Sequence, residues 1–302
     1  MKTKEDRVVI SAIITTCNRI ELFKLALKSV LRQTYGNIEV IVVDDGSTDG
    51  TEEYCKKLSG IKYIRLTEFE HKNGSFTRNI GLKTAKGKYV AFLDDDDEWM
   101  PQKIEKQVQK ISGRDNIGMV YTSAIIEFED GSRQGDIVGA ELRGYIPRAV
   151  FYNNVTSTST MLFDRRKLLE VGGFDENLNY WQDTELVIRI CQKYEIDYVK
   201  EPLTIYRENL NDKNRRSNNI DGYKDAIDYI NEKYKNEIEL LSEKEKKKRR
   251  AMLSLDMAVR LMKNGQDREA KRYLKEVFKN EPSFKSFLKY LFNYTWVKKM
   301  RK

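Results

Sequence analysis

Residues 89–99 read Tyr-Val-Ala-Phe-Leu-Asp-Asp-Asp-Asp-Glu-Trp, a mostly apolar run that leads straight into four consecutive aspartates. A short apolar run opened by Gly87 and rich in aromatic and branched side chains predicts a buried strand. Burying unpaired charge is expensive, so four adjacent carboxylates are not expected to share that core. They are expected at the strand's C-terminal end, facing water or a cation. Ligands of open α/β sheets bind at that edge. Hard divalent ions take oxygen ligands, often one or two carboxylates completed by substrate phosphates. A solvated acidic turn is the other reading of the same residues.

The flanking sequence predicts the sheet this strand belongs to. Residues 8–16, 39–43 and 61–66 are strand-like runs. Residues 21–33, with Leu22, Leu25, Ala26, Val30 and Leu31 at helical spacing, and residues 51–58 and 76–85 read as helices. Strand and helix in alternation predict an α/β fold with a right-handed, doubly wound, mostly parallel sheet. Trp99-Met100-Pro101 is expected to start a helix with proline at its first position. Residues 117–128, 160–163 and 196–206 read as further strands, the first followed by a hairpin turn at 129–132. Residues 165–170 and 186–194 read as helices. Residues 135–160, with the run Asn153-Asn154-Val155-Thr156-Ser157-Thr158-Ser159, are irregular and either shape a cleft or merely connect. The expected division is an α/β domain over 1–215, with halves of about 1–112 and 113–215, and an α-helical region over 216–302. Within the latter, 251–263 and 269–279 about Gly265 resemble one tetratricopeptide hairpin.

Composition narrows the chemistry. Histidine occurs once, at His71, and the three cysteines (Cys17, Cys55, Cys191) form no C-x-x-C pair. Zinc sites and Ser-His or Cys-His catalysis are therefore poorly supported, and a reduced, cytosolic protein is expected. No run approaches the ~20 apolar residues of a membrane span. Residues 241–302 carry 19 Lys+Arg and 7 Asp+Glu, while residues 1–240 come to −4. The basic character lies in the tail, which argues against a nucleic-acid groove in the body. Residues 284–299 set Phe284, Phe287, Leu288 and Leu291 on one helical face, and Lys298, Lys299, Arg301 and Lys302 follow. Such a tail suits docking at an anionic membrane surface, or packing on the body.

Three further clusters are candidates. Asp44-Asp45-Gly46-Ser47 ends the second strand, where an acidic residue can accept hydrogen bonds from a ribose hydroxyl or a base N–H. It is also good turn and cap chemistry. There is no G-x-G-x-x-G and no Walker loop, which counts against NAD and P-loop binding. Arg78, one turn into its helix, could grip a phosphate or form a surface ion pair. Asp183 lies in a helix's first turn and could be a plain capping carboxylate.

In this order the segments resemble the family 2 glycosyltransferases, nucleotide-sugar-dependent enzymes of GT-A fold. The residues that carry the resemblance are Ser11-Ala12-Ile13-Ile14-Thr15-Thr16-Cys17-Asn18-Arg19, Ser29 to Tyr35, Val42-Val43-Asp44-Asp45-Gly46-Ser47-Thr48-Asp49 and Arg78-Asn79-Ile80-Gly81. They continue in Gly87 to Asp97, Gly172-Gly173-Phe174-Asp175-Glu176 and Gln182-Asp183. The resemblance covers roughly residues 7–210. It implies an inverting transfer of a sugar from a nucleotide-diphosphate donor, UDP-linked by family habit. The acceptor would be a hydroxyl of a glycan or lipid-linked molecule, in surface polysaccharide or glycoconjugate synthesis, at the inner membrane face. By the same resemblance Thr15, Cys17, Arg19, Asp44, Asp45, Arg78, Asp94 and Asp95 would hold the nucleotide sugar. Within that set, Thr15 with Asp44 or Asp45 would take the nucleoside, and Arg78 the base or phosphates. Asp96 would hold Mg2+ or Mn2+, and Asp183 would be the catalytic base. Two departures stand out: Cys17 replaces a frequent aromatic residue, and Glu208-Asn209 replace a frequent histidine. A non-catalytic nucleotide-sugar binder or membrane-associated scaffold of the same fold is the alternative.

Overall fold

The computed structural model describes residues 8–67, 70, 72–128, 131–137, 141–153, 155, 157–208 and 219–281. Its contacts divide the chain into two units, one of Met1–Ile146 with Val155–Glu208, the other of Pro147–Asn154 with Asn209–Lys302.

The first unit is built on one mixed sheet in the order β3-β2-β1-β4-β8-β6-β9-β5. Strands β1 (Ile10–Thr16), β2 (Ile38–Asp44), β3 (Ile61–Arg65) and β4 (Tyr89–Asp94) are parallel neighbours. They alternate with helices α1 (Ile20–Leu31), α2 (Thr51–Lys56) and α3 (Gly74–Thr84), as the sequence rhythm predicts. β1 and the apolar part of β4 are almost wholly buried, which is why they read as unbroken hydrophobic runs rather than alternating ones. The other half runs through β5 (Glu98–Trp99), α4 (Lys103–Ile111), β6 (Ile117–Phe128), β7 (Arg133–Ile137), β8 (Met161–Asp164), α5 (Arg165–Glu170), α6 (Gln182–Lys193) and β9 (Glu195–Glu208). β8 pairs antiparallel with both β4 and β6, and β9 runs parallel to β6.

Two expectations are corrected here. Trp99 does not start a helix: Glu98 and Trp99 form a short strand against Ile205 and Thr204 of β9. The Trp99 amide donates to Ser29 Oγ at 3.0 Å and its indole to the Ser159 carbonyl at 2.7 Å, so tertiary partners override the proline signal. Helix α4 begins only at Lys103. The four aspartates do not all face outward either, because Asp95 and Asp97 are buried. The core accepts them because both are partnered, as described below.

Close packing positions α3. A Cβ on Gly81 would lie 2.4 Å from Ile13 Cγ2, so only glycine lets this helix sit so near β1. Asn73 caps the helix by accepting from the Phe76 amide at 3.0 Å, a contact worth about 1 kcal/mol. Its side-chain amide also donates to the Glu176 carbonyl at 2.8 Å.

The second unit is helical over its described length: α7 (Ile220–Lys233), α8 (Lys235–Glu239), α9 (Glu243–Lys263) and α10 (Asp267–Asn280). Helices α9 and α10 pack as a hairpin, with Gly265 at φ 81° in the turn and Ala258, Leu261, Ala270 and Leu274 buried. Ser242 and Glu245 form a reciprocal capping box at the start of α9. The chain beyond Glu281, including the aromatic and basic tail, lies outside the described residues, as does His71.

Candidate active site

Parallel register brings three loops to one edge. Thr15 lies beside Val43 on one side and Asp94 on the other, and Thr16 lies beside Asp44. The C-terminal ends of β1, β2 and β4 therefore meet, where a doubly wound sheet binds ligands. Thr15 is half-buried in that row.

The loops are tied to each other before any ligand arrives. Asn18 takes a left-handed backbone (φ 52°), and its side chain accepts from the Thr48 amide at 2.7 Å. Its own amide donates to Ser47 Oγ at 2.9 Å. Asp44 is fully buried: one carboxylate oxygen accepts from the Ser47 amide at 2.9 Å and the other from the Tyr63 hydroxyl at 2.6 Å. That hydroxyl is held well above its usual pKa by burial and by Asp44. Asp44 thus serves the turn, whereas Asp45 is half-buried at the rim. The Cys17 thiol donates to the Asp45 carbonyl at 3.3 Å. Burial, with Asp45, Asp44 and Asp95 nearby, raises its pKa and keeps it a thiol.

The four aspartates split by direction. Asp95 turns inward, accepts from the Thr16 hydroxyl at 2.8 Å and pairs with Arg19 at 2.6 Å. Burial still dominates and, helped by the charges of Asp96 and Asp94, raises its pKa to about 7. Asp97 turns inward to accept from the Arg207 amide at 3.4 Å. Asp94 and Asp96 stay partly exposed, at 31 % and 23 % of the side chain. Asp96 shares Arg19 with Asp95, at 3.0 Å.

Arg78 connects this edge to helix α6. Its Nη2 donates to Asp94 at 2.5 Å and its Nη1 to Gln182 at 3.0 Å, while the guanidinium lies 5.5 Å from the Phe174 ring centre. Asp183 follows Gln182 in the first turn of α6 and accepts from the Thr184 amide at 2.8 Å. Desolvation raises its pKa and the Asp94 charge adds to this, while the Thr184 amide and Arg78 oppose it. Asp183 therefore shares an electrostatic neighbourhood with Arg78 and Asp94. A carboxylate poised above its ordinary range beside a cation is a common mark of a functional site.

Thr15, Cys17, Arg19, Asp44, Asp45 and Asp94 to Asp96 lie on this edge, Arg78 bonds to it through Asp94, and Asp183 is linked to it through Gln182 and the charges of Arg78 and Asp94. Others went unnoticed. Asn79 of α3 accepts from the Phe174 amide at 2.8 Å and donates to the Phe174 carbonyl at 2.8 Å, holding the loop that leads to α6. That approach requires Gly173, at φ 67°, where a Cβ would meet Asn79 Oδ1 at 2.6 Å. Arg207 pairs with Glu98 and, at 3.0 Å, with Glu127 beneath the aspartate turn. Ser159, from the polar run, accepts from the Asp94 amide at 3.2 Å. A serine among serines, threonines and asparagines carries no sequence signal of its own. Glu208, one of the two departures, is buried at the end of β9.

An α/β domain with acidic loops gathered at the carboxyl edge of its sheet places them where ligands of open α/β sheets bind. Residues 11–172 match the profile of Glycosyl transferase family 2. The chain belongs to that family. It is 34 % identical over 201 residues to an uncharacterised glycosyltransferase of Rickettsia conorii, covering 66 % of this chain and 32 % of that protein. A UDP-Glc:alpha-D-GlcNAc-diphosphoundecaprenol beta-1,3-glucosyltransferase of Escherichia coli, WfaP, is 40 % identical over 100 residues, covering 33 % of this chain and 40 % of its own. The chain thus spans about a third of the length of the Rickettsia relative. The fold is similar to that of Staphylococcus aureus TarS 1–349, crystallised with UDP-GlcNAc. The TM-score is 0.60 at 18 % identity, over 96 % of this chain and 90 % of that one.

Proposed function

We propose that this protein is an inverting glycosyltransferase that moves a sugar from a nucleotide-diphosphate donor, UDP-linked, to a hydroxyl of a glycan or lipid-linked acceptor in surface polysaccharide synthesis. The observation that carries the reading is Arg78: one guanidinium holds Asp94 and the residue beside Asp183, so one cation links the aspartate turn to the candidate base. Family membership supports it, as do the glucosyltransferase activity of the E. coli relative WfaP and the UDP-GlcNAc complex of TarS.

Asp45 and Thr15 at the rim would accept hydrogen bonds from the nucleoside. Arg78 and Arg19 would face the diphosphate, whose charge grows as the glycosidic bond breaks. Asp183 would take the proton from the acceptor hydroxyl on the opposite face, and one base with direct displacement inverts the anomeric centre. Asp94 and Asp96 fit a Mg2+ or Mn2+ ion in donor chemistry, being oxygen ligands two residues apart and partly exposed. Among the described residues no three His, Cys, Asp or Glu side chains form a metal cluster. Two carboxylates would leave the rest of such an ion's shell to substrate phosphates. Such an ion supplies Lewis-acid stabilisation of the leaving diphosphate.

Among the described residues no helix is long and apolar enough to cross a membrane. A cytoplasmic enzyme working at the inner membrane face is part of the proposal, with the basic residues of 283–302 as its contact with anionic lipid.

The test is a pair of measurements on one variant. Asp183→Asn should bind UDP, with Mn2+, within about twofold of the wild type, and should lose sugar transfer by roughly 10²–10⁴-fold. Full transfer by this variant, or no wild-type affinity for any nucleoside diphosphate, would overturn the proposal.

A further inference from the structure

Both rim aspartates read as ion ligands are held by guanidinium groups, and the two arginines differ in how firmly they are placed. Arg78 grips Asp94 with one end of its fork and Gln182 with the other, and its side chain is only 12 % exposed. Buried and held at both ends, it is a fixed cation. Arg19 divides its fork between two carboxylates. Its Nη2 meets Asp95 at 2.6 Å, its Nη1 meets Asp96 at 3.0 Å, and its side chain is 46 % exposed.

The two contacts of Arg19 are unequal. Asp95 is fully buried and is itself seated by the end of β1, where it accepts from the Thr16 hydroxyl at 2.8 Å and the Cys17 amide at 3.4 Å. Asp96 lies at the rim, and an ion pair that water reaches shifts an equilibrium by no more than about fivefold. Burial weighs against the charge of Arg19, and Asp95, then Asp96 and Asp94, uphold it. The Arg19 backbone is fixed as well. Its carbonyl accepts from the Phe23 amide at 2.9 Å at the start of α1, and Asn18 before it is tied to Ser47 and Thr48. The part left to move is the outer end of a long side chain, hinged on Asp95.

We propose that Arg19 is an exchanging cation, which pivots on Asp95, yields Asp96 to the divalent ion and takes a phosphate oxygen of the donor in return. This rests on the reading of Asp94 and Asp96 as the ion ligands of the donor site. A guanidinium and a divalent ion on one rim carboxylate repel each other at contact range. A diphosphate offers the planar fork several oxygens instead. An ion binding alone therefore displaces Arg19 with nothing to receive it, whereas an ion binding with the nucleotide does not. Ion and nucleotide should each raise the other's affinity, by the same factor in both directions.

The experiment uses the full chain and two probes. Mn2+ alone is followed by the paramagnetic resonance of the unbound ion, and UDP at saturating Mn2+ is followed by calorimetry. Arg19→Met should bind Mn2+ alone about two- to fivefold more tightly than the wild type, because Asp96 is released. The same variant should bind UDP about 10- to 100-fold more weakly, the range for one hydrogen bond to a charged group. Should it fail to fold, Arg19→Gln, which loses the charge but keeps a donor for Asp95, should show the same two opposite changes. Arg65→Met removes a cation that ends β3 on the same edge and pairs with Glu52, and it should leave the Mn2+ affinity unchanged. Unchanged or weaker Mn2+ binding by the Arg19 variant would overturn the exchange, and so would an equal gain in Arg65→Met. If neither the wild type nor the variants bind Mn2+, with or without UDP, it is the ion reading that falls, and the exchange falls with it.

Discussion

Arg78 and Gln182 are joined by a hydrogen bond of 3.0 Å, and that bond ties the middle of helix α3 to the first residue of helix α6. The same arginine holds Asp94 at 2.5 Å. Gln182 is also anchored on its other side, donating to the Leu178 carbonyl at 2.7 Å. The residue preceding Asp183 is therefore held from two directions.

Gln182→Leu should remove both bonds while keeping the volume. The buried arginine would lose an acceptor, which costs about 1–3 kcal/mol where the group cannot reach water. We expect a lower thermal midpoint and a reduced kcat, with a smaller change in donor KM. Gln182→Glu should keep the contact with Arg78. A variant Leu enzyme with unchanged kcat would show that this bond does not align the base.

The pH profile follows from the direction in which Asp183 is shifted. Burial, helped by Asp94, raises its pKa from the ordinary aspartate range, about 3.9. A base must be ionised to act, so kcat/KM should fall on the acid side with an inflection above that value. Arg78 opposes the shift. Arg78→Met should therefore move the acid limb to higher pH, and movement to lower pH would contradict the assignment.

Stability should carry its own pH signature through Asp95. Its folded pKa of about 7 exceeds the unfolded value of about 3.9, so the folded chain holds this proton more tightly. The resulting stabilisation is present below about pH 4 and is lost as pH rises towards 7. Asp95→Asn, which cannot titrate, should show a thermal midpoint that varies less than the wild type between those limits. Parallel curves for the two proteins would contradict it.

Asn79→Ala should cost about 1–3 kcal/mol by stranding the Phe174 amide and carbonyl. Gly81→Ala should cost about 1–3 kcal/mol by overpacking against Ile13. Chemical denaturation would give both values. If α3 positions Arg78 as described, each variant should also weaken nucleotide binding.

Much of the sheet and of the candidate site was legible beforehand, and for an identifiable reason. β1, β2 and β4 are buried strands whose branched and aromatic runs have few other ways to fold. The acidic residues at their ends, Asp44, Asp45 and Asp94 to Asp97, had to emerge near one edge once the strands were parallel. Trp99 misled because proline at 101 is a strong local helix signal, while the strand it joins is supplied by β9, a hundred residues later. The burial of Asp95 and Asp97 was missed because their partners, Thr16, Arg19 and Arg207, come from other loops.

What the sequence determined alone was the alternation of strands and helices, the acidic edge and the family, because these rest on local periodicity and on short motifs kept in order. What only the tertiary structure decided was how the acidic residues divide their work. Asp44, Asp95 and Asp97 turn into the protein; Asp45, Asp94 and Asp96 are left at the rim. A side chain's direction and partners depend on which distant segments pack beside it. Ser159 behind Asp94, and Arg78 between two helices, are relations that no local pattern encodes.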